Sequence, residues 1–411
     1  MMDTMQGTSS LPAAKTSGRV LSIDVLRGIT IAFMILVNDP GDWNHTYAQL
    51  DHATWNGWTL TDLVFPTFLF LVGSAIILSL QSRIRRGEDR VKLALHIVRR
   101  SLILFALDLF LAAFPHFHLT ELRIYGVLTR IAICYLVVGL LCLVTQSAGK
   151  LFALAATLLV GYWALMRFVP VPGFGIPTHQ IPLLDQQANL TAWIDRGVTA
   201  FLQRTIHTGH LYQGTRDPEG LLSTLPSLAT TLFGCITALW LRRVDAKNSQ
   251  LPSSISRTFC LSGLVLSGVL CLALGTLWNL WFPINKNLWT SSYVLFAAGC
   301  TLLGLGACYW LIDIRRFNET RIGGWLTWPW LVFGSNAIVA YVVSELLDEI
   351  LAWIKVPDGG KSVPAILWIY HHIFASHGST DNTSLAFAIV YVLVCFLPNW
   401  FLWRKHIFVK I

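Results

Sequence analysis

Four groups of polar residues in this sequence stand inside or beside long apolar runs, where polarity is expensive. An ionisable side chain at the centre of a membrane helix costs about 2.5–3.5 kcal/mol on insertion scales, so such groups persist for pairing or for chemistry. In DHATWNGWTLTDLVFP (51–66), His52, Asn56 and Asp62 bracket Trp55 and Trp58. Histidine is the side chain best able to take and return a proton near neutral pH. A carboxylate at the start of an apolar helix needs a partner, and orienting a nearby histidine is one such role. A lone loop histidine is more often simply solvated, so His52 by itself stays a candidate.

SIDVLRG (22–28) sets Asp24 and Arg27 one helical turn apart, and the same apolar run ends at Asn38 and Asp39. Asp24 and Asn38 are then separated by about 21 Å along a helix, one near each membrane face. A plain i, i+3 ion pair explains Asp24 and Arg27 equally well. LRIYGVLTRIAICY (122–135) puts Arg123 at a boundary, where it can snorkel, and Arg130 about two turns deeper. Arg130 calls for a carboxylate or an anionic ligand, with Asp62 or Asp108 as the ordinary structural partner. RDPEG (216–220) and NKNLW (285–289) bring Asp217, Glu219, Lys286 and Asn287 to the face that carries His52.

The elements that position these residues are membrane helices. The chain is 54% hydrophobic and only 13% charged, with a mean hydropathy of +0.58, which excludes a water-soluble fold. Its length suits ten spans of about 20 residues joined by short loops. Hydropathy places them near 21–38, 59–81, 93–114, 126–146, 150–169, 221–242, 258–282, 288–312, 328–346 and 384–403. The fold class is thus all-α, a polytopic transmembrane bundle. The cationic loops 83–92, 241–247 and 313–321 fall on one side, with Lys15 and Arg19, and mark the cytoplasm. The net charge of +8 therefore reports topology and not a nucleic-acid partner.

An eleventh apolar segment, 362–377, would carry the C-terminal Arg404, Lys405 and Lys410 outside if it crossed, so a re-entrant or interfacial helix is expected and both termini are cytoplasmic. Pro170, Pro172, Gly173, Gly175 and Pro177 open a folded external loop over about 170–220. Residues 1–20 read as a disordered cytoplasmic tail and 21–411 as one membrane domain. All eight cysteines lie in apolar runs without a CxxC, so neither a structural disulfide nor a zinc site is expected, and no other metal is implied.

SIDVLRGITI, DHATWNG, TDLVFPTFLFLVGSAI, RIYGVLTRIAICYL, DPEGLLSTLPS, NKNLWTSSYVL and WRKHIFVKI resemble, in order from about residue 20 to the C-terminus, the heparan-α-glucosaminide N-acetyltransferase family, and more closely its bacterial inner-membrane NagX-like members. The resemblance implies transfer of acetyl from cytoplasmic acetyl-CoA to the amine of a glucosamine-type sugar across the membrane. It maps the family's active histidine to His52, its neighbouring asparagine to Asn38 and its DLVFP aspartate to Asp62. It also points to a homodimer in the lipid bilayer of a bacterial inner membrane. The lysosomal members have a large lumenal N-terminal domain and a further span that this sequence does not show, which favours a free or short amino sugar as acceptor.

The residues suit that chemistry. Acyl transfer to an amine needs a base and donors for an oxyanion, and His52 with Asn38 supplies both. Arg404, Lys410 and Arg83–Arg86 are candidates for the coenzyme A phosphates, and Trp55 for stacking on a sugar. An acetyl-histidine intermediate and direct attack with His52 as base both fit. The rival reading is a secondary transporter in which Arg130, Asp62 and Asp24 line a pathway. Against it stands the absence of matching Gly- or Pro-broken helices in two halves of the chain.

Overall fold

A computed structural model describes residues 20–247 and 253–409. The expected tail and Lys410 lie outside these residues. Among the described residues the architecture is helical, with one two-stranded hairpin. The helix α1 (Leu21–Asn38) is followed by α2 (Val64–Arg85), α3 (Arg90–Ala113), α4 (Val127–Val144), α5 (Ala148–Phe168), α6 (Leu190–Ile206), α7 (Thr224–Lys247) and α8 (Ser253–Trp278). Next come α9 (Ser291–Cys308), α10 (Arg321–Ser335), α11 (Ala337–Trp353), strands β1 (Lys355–Asp358) and β2 (Lys361–Pro364), α12 (Ala365–Ile369) and α13 (Asp381–Arg404).

Among the described residues, eight helices are long and apolar enough to cross a membrane, or nine if one bent pair counts as a single span. The expectation of ten counted α3, which carries Arg90, Lys92, Arg99, Arg100 and Asp108. That helix nonetheless lies lengthwise and antiparallel on α4. Ile97 meets Gly139, the Arg100 guanidinium reaches the Tyr135 hydroxyl at 3.0 Å, and the Asp108 carboxylate accepts from the Leu128 and Thr129 amides at 3.2 and 3.1 Å. Asp108 thus caps α4 from a neighbouring helix, satisfying two of its orphan N–H groups.

Close helix crossings rely on glycine. A Cβ on Gly73 would strike the Thr231 carbonyl, and one on Gly234 the Phe70 carbonyl, so α2 and α7 touch backbone to backbone in both directions. Small residues permit that approach, where dispersion contacts stand in for the missing hydrophobic drive between helices. Gly28 meets the Trp330 carbonyl and Gly334 the Asp24 carbonyl, which sets α10 antiparallel against the first turns of α1.

The expected ninth span, 328–346, is corrected. It is two helices, α10 and α11, meeting at Asn336 with a bend of 79°. The Asn336 side chain donates to the Ile407 carbonyl at 3.1 Å and accepts from the Val409 amide at 2.8 Å, so the chain after α13 docks into the break. The segment 362–377 forms β2, α12 and a π turn through Phe374, a helix too short to cross. The 170–220 region holds α6, anchored by an Asn189 cap on the Ala192 amide.

The bundle has two ends. At one, the Asp42 amide donates to Ser384 Oγ at 3.0 Å, joining the exit of α1 to the start of α13. At the other, the Ser22 amide donates to the Asp313 carboxylate at 3.2 Å, joining the entry of α1 to the exit of α9. His52 belongs to the first end, and Arg83 and Arg86, at the exit of α2, to the second.

Candidate active site

The segment 51–62 folds around a carboxylate. Asp62 occupies a single 3₁₀ turn, Thr61–Leu63, that leads into α2, and it is 1% exposed. Its Oδ2 accepts from the Ala53 amide at 3.1 Å and from the Thr59 amide and hydroxyl at 3.0 and 3.2 Å. Its Oδ1 accepts from His52 Nδ1 at 2.7 Å. The Tyr293 hydroxyl of α9 donates to the Asp62 carbonyl. A buried carboxylate with every oxygen engaged is a rigid holder, and the proton it draws to Nδ1 leaves Nε2 with the free lone pair. The His52 side chain is 41% exposed, so that lone pair is open to a reactant.

The loop between α8 and α9 closes over this pair. The Lys286 ammonium lies 3.1 Å from both His52 ring nitrogens and 3.8 Å from Asp62 Oδ1. Asn285, fully buried, shapes the loop: its Oδ1 accepts from the Leu288 amide at 2.9 Å and its Nδ2 donates to Asn56 Oδ1 at 3.1 Å. The Gly57 amide donates to the Ile284 carbonyl at 2.8 Å, tying the two loops together. Burial, aided by Arg130 and opposed by Asp62 and Glu219, holds the Lys286 ammonium below the ordinary lysine range. Asn285 was not among the sequence candidates, although it opens the NKNLW run; Asn287 forms no hydrogen bond among the described residues.

Asp217 and Glu219 belong to a neighbouring network. Arg123 donates to Asp217 through Nε at 2.8 Å and Nη2 at 2.7 Å, and to Glu219 at 2.6 Å, with its guanidinium 4.7 Å from the centre of the Tyr212 ring. Burial works against ionisation of Glu219, and Arg123, Arg130 and Lys286 outweigh it, holding its pKa below the usual value. Burial pushes Asp217 up, against Arg123 and with Glu219. Asp195 of α6, fully buried, accepts from the Leu221 amide at 2.9 Å, and burial pushes its carboxyl up to about 7. The sequence gives Asp195 no distinguishing signal, because a single acid in an amphipathic helix reads as a surface residue.

Arg130 pairs with neither Asp62 nor Asp108, which corrects both expected structural partners. It is 1% exposed, donates to the Gly220 carbonyl at 3.0 Å and to the Ser223 hydroxyl, and lies 5.0 Å from the centre of the Trp289 ring. Its Nε and Nη1 have no hydrogen-bond partner among the described residues. Trp55 is also committed: its indole N–H donates to the Leu184 carbonyl at 2.8 Å and Arg216 sits 4.7 Å above its ring. Asn38 is exposed at the exit of α1 and makes no hydrogen bond to His52, Asp62 or Lys286 among the described residues.

At the other end a cavity of about 850 Å³ opens between α2, α3, α4 and the α10–α11 break. Arg27, Arg83, Arg86 and Arg100 stand around it with His96, Tyr135 and the backbone-docked Phe408 and Val409. Arg27 is held by Asp24 and by the Gly334 carbonyl at 2.8 Å, so this expected pair serves the wall of the cavity. Arg83 meets Glu88 at 2.7 Å. Arg404 does not line the cavity; it is exposed beside the Trp400 ring. The cavity reaches Phe68 of α2, six residues and so about 9 Å along the helix from Asp62.

Residues 19–194 match the family model described as the catalytic region of heparan-alpha-glucosaminide N-acetyltransferase. The human protein of that name is 28% identical over 437 aligned positions, covering 96% of this chain and 60% of the human one. The mouse protein is 29% identical over 376 positions, covering 81% of this chain and 54% of its own length. The chain thus spans three-fifths or less of these relatives. The resemblance read from the motifs is borne out: the chain is similar to the heparan-alpha-glucosaminide N-acetyltransferase family over the stretch that holds Asn38, His52, Asp62 and Arg130.

Proposed function

We propose that this protein is a multi-pass membrane acetyltransferase that moves acetyl from cytoplasmic acetyl-CoA to the amine of a glucosamine-type sugar on the opposite side. The relatives are named for N-acetylation of a glucosaminide, and acetyl transfer to an amine needs what the His52 end presents. His52 Nε2 receives the proton that the amine loses as it attacks, and Asp62 fixes the ring and stabilises the imidazolium. The observation that carries the reading is the separation of this base from an arginine-rimmed cavity at the other end, whose inner wall ends about 9 Å short of Asp62. At about 850 Å³ the cavity lies within the roughly 300–1,000 Å³ of cofactor sites. Its arginines suit phosphates, and coenzyme A, long and thin, suits a donor bound at one face and reacting at the other. No metal is assigned a role.

In this reading ten helices cross, α3 and α11 completing the eight, and the arginine end is cytoplasmic with both termini, in the inner membrane of a bacterium. The sugar acceptor and a second copy of the chain are the expected partners. Many transporters carry broken helices in matching halves; the single bent pair at Asn336 has no counterpart among the described residues.

The test is transfer of label from radiolabelled acetyl-CoA to glucosamine by protein purified in detergent. Wild type is expected to label the sugar, and His52→Ala to fall by about 10³-fold, the weight of a general base. No transfer to any amino sugar, together with saturable uptake of sugar into liposomes, would replace the enzyme with a transporter.

A further inference from the structure

We propose that Lys286 is a further catalytic residue, its ammonium donating to the acetyl carbonyl oxygen as that oxygen takes on negative charge. The proposal rests on the acetyltransferase reading above. Its starting point is a contact that ordinary pairing does not explain. Nζ is equidistant, at 3.1 Å, from both nitrogens of the His52 ring. A point equidistant from both and lying in the ring plane would collide with the carbon between them, so the ammonium sits over the ring face, off either lone pair. Asp62 is no sufficient partner. The distance to Oδ1 is 3.8 Å, and that oxygen already takes the His52 proton. Glu219 acts on Lys286 only at longer range and is itself bound by Arg123.

The ammonium therefore keeps N–H groups unspent beside Nε2, the atom where the reaction occurs. Around His52 the charged groups are Asp51, which accepts from its backbone amide at 2.7 Å, Asp62 and Lys286, with Glu219 and Arg130 behind Lys286. Lys286 is the cation in contact with the imidazole. Its side chain is 19% exposed, covered enough to strengthen its field and open enough to meet a reactant.

The acceptor amine attacks the thioester carbonyl carbon; a C–N bond forms and the carbonyl π pair moves to oxygen. Lys286 donates a hydrogen bond to that oxyanion while the amine's proton passes to His52 Nε2. The oxyanion re-forms the carbonyl, the C–S bond breaks, and the thiolate takes the proton from His52. The products are the amide and free coenzyme A, and Lys286 keeps its protons throughout. An acetyl-imidazole route passes through the same kind of oxyanion and makes the same demand.

The experiment compares wild type, Lys286→Met and Lys286→Arg in the labelled transfer assay, each first checked for a monodisperse elution profile in detergent. Lys286→Met is expected to lose about 10²–10³-fold in kcat with both KM values within about threefold, as for other oxyanion donors. Lys286→Arg retains most of the rate. Because burial holds the Lys286 ammonium below the ordinary lysine range, wild-type kcat falls at alkaline pH as that charge is lost. In Lys286→Arg this limb disappears, since a guanidinium stays charged. The proposal is overturned if Lys286→Met keeps kcat, if it raises only the sugar KM, or if the alkaline limb survives in Lys286→Arg. A monodisperse Lys286→Met with wild-type kcat beside an inactive His52→Ala sinks Lys286 alone; an inactive wild type sinks the acetyltransferase reading and this role with it.

Discussion

The two ends of the bundle solve opposite problems with the same residue types. At the His52 end, the carboxylates beside Arg123 and His52 are buried and matched. Arg123 is clamped by two carboxylates and a tyrosine ring, and Asp62 has every oxygen occupied. At the other end the arginines line open space. Arg83 shares one glutamate with Arg86, and Arg100 rests on Tyr135, with its Nε unpartnered among the described residues. Matched burial produces a rigid site that holds its geometry before any reactant arrives. Unmatched cations around a cavity produce a site that is completed only by an anion.

Breaking the matched end has the largest expected consequence. Arg123→Met leaves the Asp217 and Glu219 carboxylates covered and without their cation, and loss of one partner of a buried pair costs about 3–5 kcal/mol. The expected outcome is a large drop in the melting temperature of the detergent-solubilised protein. Recovery in the triple variant Arg123→Met, Asp217→Asn, Glu219→Gln would show that the unpaired charges, and not lost packing, are responsible. An unchanged melting temperature in the single variant would mean that the network contributes little.

At the open end the change should appear in binding and not in stability. Replacing Arg83 and Arg100 together by Ala is expected to raise the KM for acetyl-CoA by about tenfold, leave kcat and the sugar KM in place, and weaken the salt dependence of the reaction. Loss of stability without a change in KM would contradict the division between the ends.

The effect at Asp195, whose carboxyl burial pushes up to about 7, vanishes in acid and grows only with pH. A raised folded pKa means that the folded state keeps its proton where the unfolded chain has lost it. Its contribution to stability is therefore full below about pH 4 and is lost as the pH rises towards 7. Asp195→Asn keeps the oxygen that accepts from Leu221 and removes the ionisation. The variant should track wild type near pH 4, gain on it up to pH 7 and hold a constant margin above. A margin independent of pH would show that Asp195 does not titrate across this range.

Much of this was open to reading in the chain. Hydropathy locates the helices because a membrane helix is recognisable by its own composition, and the eight helices long and apolar enough to cross, among the described residues, all coincide with expected spans. The spacing of His52 and Asp62 around a short, Trp-rich loop was enough to suggest their pairing. The break at Asn336 is hard to read because Gly334, Ser335 and Asn336 interrupt the otherwise apolar run WPWLVFGSNAIVAYVVSEL for only three residues, and the segment that docks into it lies about 70 residues later in the chain.

What the sequence determined by itself was the local, additive part: apolar runs long enough to become helices, and polar residues too costly to be idle. The tertiary structure alone decided which partners those polar residues took. Arg130 found a carbonyl, a hydroxyl and a tryptophan face in place of a carboxylate, Asp217 and Glu219 went to Arg123, and Lys286 went to His52. Such pairings join residues up to 234 positions apart. They depend on how helices pack, which glycines at the crossings permit, and no local pattern records that choice.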